Sequence, residues 1–215
     1  APTLPELLHQ RGYRTIHVGK AHWGAVGTKG SDPINLGFDV NIAGHAAGAP
    51  ESYQGKDRYG EGKVGKEVWA VPGLQAYKGT ETHLTDALTV EACREVGAAV
   101  QAGQPFFLHL AHYAVHAPLQ PHRPYVEHYR DADVDPSERD YASMVEGMDH
   151  SLGALRARLV ELGVASNTLI VFYSDNGGLS HVVRGKNIRG TAKDTHNLPL
   201  REGKGSAYEI GRAHV

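Results

Sequence analysis

The chain has 215 residues, 40% of them hydrophobic, enough for one domain with a sizeable core and too many for extensive disorder. Its formal net charge is −2, from 22 Lys and Arg against 24 Asp and Glu, so charge gives no case for nucleic acid or an anionic membrane as partner. A single cysteine, Cys93, excludes an intrachain disulfide and a cysteine-rich zinc site, and no apolar run reads as a membrane span or a signal peptide.

The chain opens on Ala1 rather than Met, already inside a helix-start pattern, so it reads as a fragment whose N-terminus is missing. Thr3-Leu4-Pro5-Glu6 has capping-box spacing, with Pro5 tolerated in the first turn. Leu4, Leu7 and Leu8 share one helical face, and Gly12 is placed to end it. Arg14 to Val18 predicts a short strand that runs into Gly19-Lys20. Residues 24–80 are rich in Gly, Pro and Tyr and lack periodicity. They predict a long surface excursion with small strands at most, and loops of that size are usually functional. Tyr53, Tyr59 and Trp69 within it are candidates for stacking on sugar rings, or else plain surface aromatics.

Leu84, Leu88, Val96 and Val100 fall on one helical face that ends near Gly103. Pro105 to Leu110 is an apolar run read as a strand, followed by His112-Tyr-Ala-Val-His116-Ala-Pro118. Ser137 opens the clearest helix: Tyr141, Met144, Val145, Met148, Leu152, Leu155, Leu159 and Leu162 step by three and four to Gly163. Thr168 to Ser174 predicts a buried strand, because the continuous run Leu169 to Tyr173 stops at the turn signal Asp175-Asn176-Gly177. Residues 177–205, rich in Gly, Lys and Arg, read as a loop. This order predicts an α/β domain with a mostly parallel sheet flanked by helices, and there is no internal repeat.

Four clusters carry candidate chemistry. Lys20 and His22 follow a strand and can both reach an anion above a sheet edge, although alone they read more readily as surface side chains. His112 and His116 have the i, i+4 spacing of zinc ligands on a helix, but no Glu follows the first and Pro118 argues for a loop. A His that hydrogen-bonds a substrate oxygen or leaving group fits better. Asp175 and Asn176 offer oxygen donors suited to Ca²⁺ or Mg²⁺ where an α/β sheet places its ligands; in isolation they are only a turn. Lys204 lies between Gly203 and Gly205, which allow close approach to a small anion. Two ammonium groups, histidines and one oxygen-donor cation site together suit a tetrahedral oxyanion, and sulfate and phosphate esters both fit.

These motifs resemble the sulfatase family of the alkaline-phosphatase superfamily over residues 1–209. Residues 12–22, GYRTIHVGKAH, are similar to a sulfatase signature. Gly37-Phe38-Asp39, Pro105-Phe-Phe-Leu, His116-x-Pro118, Ser174-Asp-Asn-Gly177 and the stretch from Pro199 to Glu209 follow in the family's order. The resemblance implies a partial alkaline-phosphatase-like domain that cleaves sulfate esters. It implies that Lys20 and Lys204 hold sulfate oxygens and that His22 orients the nucleophile. His116 would contact the ester oxygen and protonate the leaving group. Asp175 and Asn176 would ligate a divalent cation, usually Ca²⁺, with Mg²⁺ as the alternative.

The same resemblance implies a formylglycine nucleophile, made by a maturation enzyme from Cys or Ser in a Cys/Ser-x-Pro/Ala-x-Arg motif. No stretch of this sequence has that motif, and Cys93, followed by Arg94-Glu95-Val96, is expected to be a partly buried helix residue. The N-terminal acidic metal ligands and the C-terminal subdomain are likewise expected outside the chain, leaving this chain alone inactive. The family implies a periplasmic or extracellular location. Residues 210–215, IGRAHV, depart from the family pattern and correspond to a translated sequencing-adapter run, so they are expected to be a non-native tail. The expected partner is a sulfated small molecule or sulfated glycan, whose identity is unreadable, with residues 41–80 and 178–196 lining its pocket. The alternatives are a phosphomonoester or phosphonate hydrolase of the same superfamily, and a non-catalytic metal- or glycan-binding homologue.

Overall fold

The computed structural model describes residues 1–134, 136–178 and 203–204. Strand β1 (Arg14–Gly19) is central; it pairs in parallel with β2 (Val40–Ile42) on one side and β3 (Phe106–Ala111) on the other, in the order β2-β1-β3. Successive side chains of a strand alternate faces. Ile16 lies opposite Val40 and Leu108, and Val18 opposite Ile42 and Leu110, so the aliphatic residues of all three strands share one face. That face is buried against Leu84, Leu88, Ala92 and Met144. The other face carries Thr15, His17, Asn41 and His109. There His17 Nδ1 and His109 Nδ1 share a hydrogen bond of 3.0 Å, and Trp23 and Phe38 stack with centroids 5.7 Å apart.

Helix α1 (Leu4–His9) starts at the expected capping box: Thr3 Oγ1 accepts from the Glu6 N–H and the Glu6 carboxylate accepts from the Thr3 N–H, at 3.2 and 2.9 Å. Gly12 turns the chain into β1 with a φ of 83°. Helix α2 (Leu84–Gln101) buries the expected stripe of Leu84, Leu88 and Val96 and stops short of Gly103, whose φ is 67°. A histidine caps it, His83 Nδ1 accepting from the Thr85 N–H at 3.3 Å. Helix α3 (Arg123–Val126) is a single turn that the periodicity did not announce. Helix α4 (Pro136–Glu161) packs on α2, where the Thr89 and Ser151 hydroxyls are hydrogen-bonded at 2.6 Å and Gly97 makes room for the Arg158 guanidinium.

Two expectations need revision. The excursion over 24–80 is built from five 3₁₀ turns, and its one strand, β2, belongs to the main sheet rather than to a separate surface unit. Residues 168–174 form no strand. Leu169, Val171, Phe172 and Tyr173 are 88, 74, 75 and 69% exposed. A strand exists through a neighbour's hydrogen bonds, and among the described residues none pairs with this run. Its β-rich composition was read correctly, but composition does not supply a partner.

Candidate functional site

Parallel strands place their carboxyl ends together, and the chain diverges from β1 to β2 on one side and β3 on the other. That is the topology in which α/β sheets open a crevice. Lys20 and His22 follow β1, His45 follows β2, and His112 to His116 follow β3. Gly19 sets the exit geometry, with a φ of 106°; a Cβ there would lie 1.9 Å from the Ala111 carbonyl oxygen. That oxygen accepts from the Lys20 N–H at 2.7 Å, which fixes where the lysine leaves the sheet.

His22 is a non-glycine residue with a φ of 60°, an uncommon conformation held by its N–H, which donates to the His45 carbonyl at 3.0 Å. Gly48 lies under its ring, and a Cβ there would fall 2.6 Å from His22 Nδ1. Burial, with a smaller contribution from the neighbouring His22, holds the His45 imidazole down to about 4. His45 was missed in the sequence. Reading Val40–Ile42 as a strand would have placed it just beyond a strand end.

His116 sits in the turn after β3, its N–H donating to the Tyr113 carbonyl at 2.9 Å. Its Nδ1–H donates to the Ala117 carbonyl, also at 2.9 Å, which leaves Nε2 as the free ring atom. The i, i+4 zinc reading of His112 and His116 gains nothing here: His112 is hydrogen-bonded through Nε2 to Ser151 Oγ at 2.9 Å, back toward α4. Its pKa is held down to about 4 by burial.

Lys204 is anchored by its N–H to the Gly178 carbonyl at 2.9 Å. Burial lowers its pKa, the Lys20 ammonium lowers it further, and Asp175 raises it. His116 is lowered chiefly by burial, raised by its bond to the Ala117 carbonyl, lowered by Lys204 and Lys20, and raised by Asp175. Lys20 and Asp175 therefore both lie within electrostatic reach of His116 and Lys204, although the four come from separate segments. Asp175 is exposed and Asn176 half-buried, and the Asn176 carbonyl accepts from the Ser174 hydroxyl at 2.7 Å. Among the described residues no three His, Cys, Asp or Glu gather as a metal cage.

Tyr53 and Tyr59 cannot stack on a sugar. Both are fully buried, and their hydroxyls donate inward to the carbonyls of Tyr113 and Thr82 at 2.6 and 3.1 Å. Tyrosine is amphipathic, and composition alone does not say whether its ring or its hydroxyl faces the core. Trp69 is 39% exposed, with the Lys66 ammonium 5.0 Å from its ring centre. Cys93 is a half-buried residue of α2, its thiol pushed up by burial. The loop expected over 178–196, from 179 onward, and the tail at 210–215 lie outside the described residues.

Residues 1–211 match the Sulfatase family model. Arylsulfatase J of Mus musculus is 31% identical over 209 residues, covering 97% of this chain and 32% of its own length. N-acetylgalactosamine-6-sulfatase of Canis lupus familiaris is 30% identical over 217 residues, covering 97% of this chain and 37% of its own length. The chain thus spans well under half the length of these curated relatives. Among solved structures, Ps i-CgsB superposes with a TM-score of 0.66 at 31% identity, covering 94% of this chain and 43% of that one. The same protein has been solved in complex with k-i-k-neocarrahexaose. The α/β architecture with a parallel sheet flanked by helices is the one these sulfatase structures share.

Proposed function

This chain belongs to the sulfatase family, and from that premise we propose that it forms the sulfate-holding and leaving-group half of a sulfuric ester hydrolase. One observation carries the reading: Lys20 lies close enough to Lys204 for its charge to lower the Lys204 pKa, and among the described residues Asp175 is the carboxylate that acts against it. Two ammonium groups held together in a half-buried site repel each other unless an anion lies between them. A sulfate ester presents such an anion. His116 commits its Nδ1–H to the Ala117 carbonyl and presents Nε2 to the departing oxygen, to which it gives a proton from the doubly protonated, imidazolium form of the ring. His22, at the mouth of β1, orients the attacking group.

The nucleophile is a residue outside this chain, a formylglycine in the family pattern, since no Cys/Ser-x-Pro/Ala-x-Arg stretch occurs in the sequence. A divalent cation would supply further charge stabilisation. Asp175 and Asn176 offer two consecutive oxygen donors of the kind Ca²⁺ takes, short of the roughly six to eight it needs. They fit as part of such a site. The substrate class that the relatives suggest is a sulfated glycan, in keeping with a solved neighbour in complex with a carrageenan-type oligosaccharide.

The test is the relative turnover of an aryl sulfate and an aryl phosphate by the complete gene product that carries this segment. Preference for the sulfate supports the reading. A phosphate preference of orders of magnitude overturns it in favour of a phosphoesterase, and turnover of neither ester points to a binding homologue.

A further inference from the structure

The turn that carries His116 is clamped by one buried hydroxyl. Tyr53, in the excursion between β2 and α2, is fully buried, and its hydroxyl lies 2.6 Å from the Tyr113 carbonyl and 2.9 Å from the His116 carbonyl. A phenol has a single proton, so the two acceptors share it. They are the first and last residues of one turn, closed by the His116 N–H on the Tyr113 carbonyl at 2.9 Å. The Tyr113 hydroxyl in turn donates to the Ala43 carbonyl at 2.8 Å, just beyond β2.

The same two segments are bolted together a few residues on. Gln120 Oε1 accepts from the Tyr53 N–H at 2.6 Å, the Ser52 hydroxyl shares its one proton between that oxygen at 3.1 Å and Asp57 Oδ2 at 2.9 Å, and Gln54 Nε2 donates to the Pro121 carbonyl at 3.0 Å. This network is larger than a core tyrosine needs to satisfy its own polar atom. Its bonds converge on residues 113–121, the stretch that holds His116, and fix the backbone from which that imidazole projects.

We infer that Tyr53 is a positioning residue for His116: its shared hydroxyl holds the turn so that the free Nε2 meets the leaving oxygen. This rests on the proton-donor role proposed for His116. The consequence is specific, because proton donation matters most for alcohols that leave badly and little for nitrophenolate. Loss of the hydroxyl therefore acts on leaving-group dependence rather than uniformly, and small misplacements of a donor cost about tenfold or more in rate.

The experiment uses the complete gene product with Tyr53→Phe, assayed on 4-nitrophenyl sulfate and on an alkyl or sugar sulfate. The expected result is a fall in kcat of about tenfold on the poor leaving group, less than about twofold on the nitrophenyl ester, and an unchanged KM. In the His116→Ala background the same change adds nothing further, because the group it positions is gone. Tyr59→Phe is the control. It deletes an equally buried hydroxyl from the same excursion, one that bonds Thr82 instead, and leaves the ratio between substrates unchanged.

Equal losses on both substrates, or losses that multiply with those of His116→Ala, overturn the inference. If His116→Ala itself shows no leaving-group split, the proton-donor reading fails first and separately. Gln120→Met, which loosens the network at its other end, gives the same split and carries the test if Tyr53→Phe does not fold.

Discussion

Gly19 is where sequence, backbone and site meet in one residue. Its φ of 106° is open to glycine and costly for any side chain, and a Cβ there would sit 1.9 Å from the Ala111 oxygen that receives the Lys20 N–H. Gly19→Ala is expected to destabilise the chain by about 3 kcal/mol or more, since it combines strain with a clash against backbone that cannot swing away. Denaturant unfolding of the variant measures this, and a loss below about 1 kcal/mol would mean the turn has another route. Asp175 acts differently. It raises the pKa of both His116 and Lys204, so Asp175→Ala should move both lower. Titration of His116 by NMR reads the shift directly, and an unmoved midpoint removes Asp175 from the site. Lys20, His116, Asp175 and Lys204 were all legible as polar residues beside glycine or after an apolar run. Tyr53 was not, because a tyrosine in a loop without periodicity gives no sign that its hydroxyl points inward to two carbonyls.

At the scale of elements, neutral imidazoles join pieces that elsewhere meet through aliphatic side chains. His17 and His109 link β1 to β3 across a 3.0 Å hydrogen bond. His83 caps α2 and stacks on His122 at 4.0 Å and on Tyr53 at 5.4 Å, with His112 also close enough to depress its charge. Burial, helped by these neighbouring imidazoles, holds His17 down to about 3 and His83 down to about 2. A histidine whose folded pKa is lowered takes up protons more readily in the unfolded chain. Its contribution is therefore intact above about pH 6.5 and is lost as pH falls toward the folded pKa, by roughly 1.4 kcal/mol per pH unit for each group. Urea midpoints should be level at neutral pH and fall between about pH 6.5 and 4.5, before most carboxylates titrate. His83→Asn keeps a good helix cap and should make that fall shallower. A profile that stays flat to pH 5 would mean these rings are charged or solvated. Helices α1, α2 and α4 were plain in the sequence through capping box, stripe and terminal glycine, whereas the single turn of α3 was not. The three-residue β2 was hidden because its sheet position comes from pairing with β1 and from no pattern of its own.

For the whole molecule the decisive feature is the run Leu169 to Tyr173, which has the composition of a core strand and the exposure of a loop. Leu169 is 88% exposed and Phe172 75%, and among the described residues no strand lies beside them. Unpaired backbone with β-prone apolar side chains is a template for another chain. At micromolar concentration the 215-residue chain is expected to self-associate through this run, visible as light scattering that grows with concentration. Phe172→Lys should suppress the scattering, because a single charge on such an edge penalises stacking. It should leave the unfolding free energy within about 0.5 kcal/mol of the parent, and the midpoint accordingly in place, because an exposed side chain outside the core contributes little to stability. Both readouts matter. Suppressed scattering with a lowered midpoint would mean that Phe172 packs somewhere in solution, and unchanged scattering would move the adhesive surface elsewhere. The run also explains why the sequence placed Asp175 and Asn176 at a strand end that did not form. Asp175 still lies within electrostatic reach of Lys204 and His116, and the Gly178–Lys204 backbone bond closes the far end of the segment. The site is held together by that closure and by the Tyr53 clamp rather than by a fourth strand.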